Sequence, residues 1–272
     1  MVVVPASPRQ TVQQRIEALL PNADVLHPEG KGPFPVVIQL HGCGGKKPFQ
    51  MDWAKAARDA GWAVIVVDSY AFRNISSLQA HAIVCTGLHL WGRERAGDLY
   101  AMMEWTRRQS WADPQRIAVA GWSHGGWTAL DAMSMAPGQE MASATRLIDL
   151  PEDPLAGLAG AFCVYPYVGV GAIAGSRGTR IDVPIKALVG TQDVIVGSKS
   201  LLRTLERMKT PSTPVEIVML EGATHAFDEQ EARDLRVRYD PELTARAHGL
   251  YADFLKSVAA RNAREPAPAP GG

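Results

Sequence analysis

The sequence predicts an α/β fold: a doubly wound, mostly parallel sheet with helices on both faces, a three-layer sandwich. Three observations predict it. Short β-branched runs alternate with segments of helical period. Those runs are apolar throughout, as in strands covered on both faces. Strands separated by helices need crossover connections, which produce parallel pairing. With 272 residues, 46% hydrophobic and 21% charged, the chain has material for one large core, and residues 1–264 read as a single domain.

Taken in order, residues 35–40 and 63–67 are the first strands, and residues 51–60 between them are helix formers stopped by Gly61. Residues 93–108 form a helix with Ala96, Leu99 and Met103 along one face. The turn at Asp113-Pro114 leads into a strand at 117–120 and a helix at 124–135. Residues 137–154 are a polar excursion, read as a small lid or a surface loop. Strands at 158–164, 185–189 and 215–220 follow, with helices at 198–208 and 241–260. The tail, 265–272, is rich in Pro, Ala and Gly, cannot pack a core, and is expected to be disordered.

Composition excludes several classes. Lys+Arg and Asp+Glu both total 28, so the formal net charge is zero, without the basic excess of a nucleic-acid binder. The longest uncharged stretch, 155–175, is long enough to span a bilayer, but Gly157, Gly160, Pro166, Gly169, Gly171 and Gly175 interrupt it. It reads as a buried strand entering a Gly-rich loop, with no membrane partner. Only three apolar residues follow Met1 before Pro5, too few for a signal-peptide core. The odd set Cys43, Cys85 and Cys163 fits free thiols in a reducing compartment. A cytoplasmic protein is therefore expected, the alternative being a secreted or periplasmic one whose leader has been removed.

In such sheets chemistry sits beyond the carboxyl ends of the strands. The strand at 117–120 is followed by Gly121-Trp-Ser-His-Gly125. A nucleophile on a strand-to-helix turn needs a strained backbone, and the flanking glycines give it room. Ser123 is the candidate nucleophile. His225, in the loop after the 215–220 strand, is the candidate base. Asp193, at the end of the 185–189 strand, would orient it, and the chain order Ser123, Asp193, His225 suits this topology. Asp228 competes with Asp193, but a residue three along the same loop rarely points back at the ring. The first strand ends in His41-Gly-Cys-Gly-Gly45, a loop able to turn amides inward, so the N–H groups of Cys43 and His124 are the candidate oxyanion hole. Trp122, Tyr165, Tyr167 and Phe227 adjoin these strand ends as candidate pocket walls, Trp122 alternatively packing beneath the turn. Arg73 is a candidate for binding a substrate carboxylate, or else an ion pair with a loop acid.

His81, Cys85 and His89 recur every four residues, with His41 and Cys43 as further donors, a spacing that resembles metal ligation. Thr86 and Gly87 argue against a regular helix there, and a Ser-His-Asp site needs no metal, so none is expected. Cys43 and Cys85 follow neighbouring strands at one sheet edge. A disulfide between them would stiffen the oxyanion loop and mark an oxidising compartment.

These motifs together (HGCGG at 41–45, DSYAFR at 68–73, DPQRI at 113–117, GWSHGG at 121–126, GTQD at 190–193 and THAF at 224–227) resemble the dienelactone hydrolase family over residues 22–261. The resemblance implies the α/β-hydrolase fold and hydrolysis of small esters or lactones. Ser123 stands where the family proper carries a Cys nucleophile, and the His-Gly loop stands where it holds an acid. Both departures favour a serine carboxylesterase acting through an acyl-enzyme, with a small-molecule substrate and no cofactor, as a monomer or homodimer. The rivals are a serine peptidase or amidase on the same fold and a non-catalytic binding protein. The second is disfavoured because all three triad residues are present.

Overall fold

A computed structural model describes residues 8–232 and 234–262; the 265–272 tail lies outside the described residues. The strands are β1 (Asp24–Leu26), β2 (Phe34–Leu40), β3 (Ala63–Val67), β4 (Ala112–Trp122), β5 (Leu158–Val164), β6 (Ile185–Gly190) and β7 (Val215–Leu220). The helices are α1 (Val12–Leu19), α2 (Phe49–Asp59), α3 (Ser77–Gln79), α4 (Gly92–Arg107), α5 (His124–Ser134), α6 (Gln139–Thr145), α7 (Ala174–Arg177), α8 (Ser198–Met208) and α9 (Pro241–Asn262). The strands pair into one sheet in the order β1-β3-β2-β4-β5-β6-β7. Only β1 is antiparallel to its neighbour; every other pair is parallel.

Period-two alternation divides the apolar strands between two cores. Val36, Ile38 and Leu40 of β2, with Ile117 and Val119 of β4, join α1, α4, α5 and α8 on one face. Val37, Ala118, Ala120 and Trp122 face α2 and α9 on the other. That double burial is why these strands read as unbroken apolar runs.

Five of these elements escape the sequence reading: α1, β1, α6 and the short α3 and α7. α1 opens with a capping box between Thr11 and Gln14 and buries Val12, Ile16 and Leu19, a signal present in the sequence. β1 has only three residues and pairs with the free edge of β3; nothing that short shows a period. The 137–154 excursion contains the helix α6 (Gln139–Thr145). Its helix α6 lies against α4, where Gly97 makes room for Thr145, and Leu147 bridges to Gln10.

The sheet also fixes where a site can form. From β2 the chain moves one way to β3, then returns to the other side of β2 as β4. The ends of β2 and β4 are therefore neighbours, Leu40 pairing with Gly121, at a topological switch point.

Cys43, after β2, is bonded to Cys85, at the end of a π turn (Ala80–Val84) after β3. Cys163 is free and buried in β5. The expectation of three free thiols is thus corrected: loops after neighbouring parallel strands bring the two sulfurs together. Among the described residues no helix is long and apolar enough to cross a membrane. On denaturation without reductant one thiol per chain is expected to react with Ellman's reagent, and all three after reduction. With 42 residues between the bonded cysteines, reduction should cost about 4 kcal/mol, read as a lower urea midpoint.

Candidate active site

Ser123 sits between β4 and α5 with φ 49° and ψ −108°, a conformation L-residues avoid at a cost of about 1–3 kcal/mol. Surrounding bonds hold it there. Ser123 donates its N–H to Val164 O at 2.9 Å, and its carbonyl accepts from Trp127 N at 3.0 Å and Tyr167 N at 3.1 Å. The flanking glycines are required by space: a Cβ on Gly125 would lie 1.9 Å from Leu40 O, and one on Gly121 2.4 Å from the Gly125 backbone.

β6 and β7 deliver the partners. His225 Nε2 lies 2.9 Å from Ser123 Oγ, and His225 Nδ1 lies 2.8 Å from Asp193 Oδ2. The other Asp193 oxygen accepts from the N–H groups of Ile195 and Val196. Burial pushes the Asp193 carboxyl up, but the hydrogen bond and charge of His225 and these amides hold it below its ordinary range. An ionised Asp193 accepts from Nδ1–H, which leaves Nε2 free to accept the hydrogen bond of the Ser123 hydroxyl.

Asp228, the competing acid, has another task. Fully buried, it accepts from Tyr165 Oη at 2.6 Å and Trp53 Nε1 at 2.9 Å. Burial raises its carboxyl to about 6 against those bonds. The Tyr165 ring lies 4.6 Å from that of His225, so Asp228 braces the base from behind.

The loop after β2 is pinned at three successive carbonyls. His41 O accepts from Arg95, Gly42 O from the His41 ring at 2.7 Å, and Cys43 O from Tyr70 Oη at 2.9 Å. Gly42 O and Cys43 N–H belong to one planar trans peptide and point oppositely, so tying the carbonyl aims the amide. Among the described residues neither Cys43 N–H nor His124 N–H donates a hydrogen bond. Gly42 passes close to Ser123, a Cβ there meeting Ser123 Cβ at 3.6 Å. The His124 side chain turns into the core, Nε2 donating to Leu90 O at 2.7 Å, and burial with the Arg95 charge brings its pKa down to about 3.

The pocket candidates divide. Tyr167 is half-buried against Trp127, and Tyr165 backs the imidazole. Phe227 is corrected: it is buried in the α2/α9 core. Trp122 takes its alternative place, buried in the same core against Trp53 beneath the turn. Arg73 is corrected too: both of its terminal nitrogens bind Asp98 of α4, at 2.8 and 2.9 Å. The metal spacing dissolves into other uses. Cys43 and Cys85 are bonded to each other, and both His41 ring nitrogens bind backbone. The side chain of His81 lies outside the described residues. A cavity of about 330 Å³ between α2 and α9, lined by Phe49, Asp52, Asp228, Tyr239 and His248, includes none of Ser123, Asp193 and His225.

The sequence reading missed Arg95 and Asp98, and named His41, Ser69 and Tyr70 without their part in pinning the loop after β2. Arg95 and Asp98 did leave a trace, as charges among the apolar residues of an otherwise buried helix.

Residues 154–259 match the family model described as the dienelactone hydrolase family, and residues 52–139 that of the prolyl oligopeptidase family. No curated protein matches. Among solved structures, a dienelactone hydrolase from Anabaena variabilis is 19% identical, with a TM-score of 0.59 over 86% of this chain and 90% of that one. A dienelactone hydrolase-like promiscuous phosphotriesterase from metagenomic libraries is 18% identical, with a TM-score of 0.62 over 87% and 92%. Esterase 2 of Thermogutta terrifontis, phosphorylated by paraoxon, is 16% identical, with a TM-score of 0.63 over 87% and 88%. At these identities the structures share the fold.

The raised Asp228 carboxyl gives a signed pH effect. Its folded value of about 6 lies above the ordinary 3.8. The stability it contributes is therefore full below the ordinary value and lost as pH rises through about 6. Asp228→Asn cannot ionise. The wild-type melting temperature minus that of Asp228→Asn should fall as pH rises from about 4 to about 7; a flat difference would place the carboxyl at its ordinary value.

Proposed function

We propose that this chain is a serine hydrolase of the dienelactone hydrolase family, cleaving small carboxylic esters or lactones through an acyl-enzyme, a reading supported by the match of residues 154–259 and by the fold shared with known dienelactone hydrolases. One observation carries the reading: a single imidazole, His225, lies 2.9 Å from Ser123 Oγ and 2.8 Å from the Asp193 carboxylate. His225 takes the proton of Ser123 as Oγ attacks the ester carbonyl. The tetrahedral oxyanion accepts from the N–H groups of Cys43 and His124, while Asp193 stabilises the imidazolium. The C–O bond to the leaving alcohol then breaks, His225 protonating the alkoxide. Water, deprotonated by the same nitrogen, attacks the acyl-enzyme, and Ser123 leaves with its proton restored. The strained turn supports this reading because it presents Oγ without rearrangement.

The match of residues 52–139 to the prolyl oligopeptidase model favours a second reading, amide cleavage by the same residues. A panel of p-nitrophenyl esters and aminoacyl p-nitroanilides separates the two. Ester turnover is expected; turnover confined to the anilides would favour the peptidase. Ser123→Ala and Asp193→Asn should each lower kcat by about 10⁴-fold. A fluorophosphonate should label Ser123 in a peptide map, and wild-type rates in Ser123→Ala would refute the proposal.

A further inference from the structure

Arg95, on the first turn of α4, is fully buried. Its Nη1 donates to His41 O at 2.7 Å and to His124 Nδ1 at 3.1 Å, and its Nε donates to Ser69 Oγ at 2.8 Å. His41 O belongs to the peptide immediately before the Gly42–Cys43 peptide, whose N–H is one oxyanion donor. His124 supplies the other. One side chain thus grips both halves of the proposed oxyanion hole, which come from loops after different strands.

The charge of Arg95 is also unusual. Among the described residues it has no carboxylate within ion-pair distance, and its Nη2 has no hydrogen-bond partner. Asp98, the buried acid nearby, is taken by Arg15 at 2.7 Å and Arg73 at 2.8 Å. A buried cation with no carboxylate paired directly to it is left with much of its desolvation cost uncompensated. A negative charge arising beside it in the transition state recovers part of that cost, whereas the neutral ester in the ground state recovers none.

We infer that Arg95 is a positioning residue for the oxyanion hole, fixing the Cys43 and His124 amides relative to each other and lending the site a buried positive charge that favours the tetrahedral anion. This rests on the serine-hydrolase reading above.

The test compares Arg95→Met, Arg95→Lys and Ser69→Ala with wild type on p-nitrophenyl butyrate, with folding checked by near-UV circular dichroism. Arg95→Met should lose about 10²–10³-fold in kcat with KM within about threefold. Its affinity for a trifluoromethyl ketone, which forms a tetrahedral anion on the serine, should fall in step with kcat. Arg95→Lys keeps the charge but not the fork, and Ser69→Ala frees Nε alone; both should fall less, in the same direction. If Arg95→Met does not fold, these two carry the test. Folded variants that keep kcat within about threefold of wild type, or lose kcat without losing ketone affinity, overturn the inference. Failure of a fluorophosphonate to label wild-type Ser123 overturns the underlying serine-hydrolase reading instead.

Discussion

The start of α5 is pressed against the end of β2 so closely that Gly125 has no space for a Cβ beside Leu40 O. Everything at the site descends from that contact. It forces the chain between Gly121 and Gly125 into a turn too sharp for ordinary dihedrals, and Ser123 occupies its apex. The same contact brings the loop after β2 alongside the serine, so the proposed nucleophile and the proposed amide donors are set by one packing event. The cost of the turn is met by a well-packed sheet on both faces, where each fully buried aliphatic side chain is worth about 1.5–3 kcal/mol.

Around this point the buried polar groups fall into two systems of opposite sign. On the β6/β7 side, carboxylates predominate: Asp193 serves the imidazole, and Asp228 braces Tyr165 behind it. On the β2/β3 side lie the guanidinium groups of Arg15, Arg73 and Arg95, with Asp98 between the first two. The proposed chemistry separates charge in the matching sense, imidazolium toward the acids and oxyanion toward the arginines. Such a field needs no reorganisation at the moment of reaction.

Much of this was legible in the sequence, for physical reasons. Parallel strands are apolar on both faces, so β2 to β7 appear as runs. The residues at strand ends need only chain order and a turn to be singled out as candidates, and Ser123, Asp193 and His225, singled out in that way, lie in hydrogen-bond contact in the structure. β1 was invisible because a three-residue edge strand has no pattern. Phe227 was misplaced, and Trp122 left between two places, because position along a strand end does not reveal which face a side chain takes; both turn to the α2/α9 core. Arg73 and Arg95 were out of reach for another reason. Their partners, Asp98 in one case and His41, Ser69 and His124 in the other, lie in segments that only the closed fold brings together.

Tyr165 leans against His225, its ring tilted 55° to the imidazole with the centroids 4.6 Å apart. Its hydroxyl is committed to Asp228 and its ring occupies one side of the imidazole, so in the proposed reaction His225 has nowhere to swing on that side while an acyl group waits on the serine. The second nucleophile must then enter by the route the departing alcohol has just vacated. Water and any other hydroxyl-bearing molecule compete for that one doorway, and whether the chain hydrolyses or transacylates becomes a question of occupancy at its mouth.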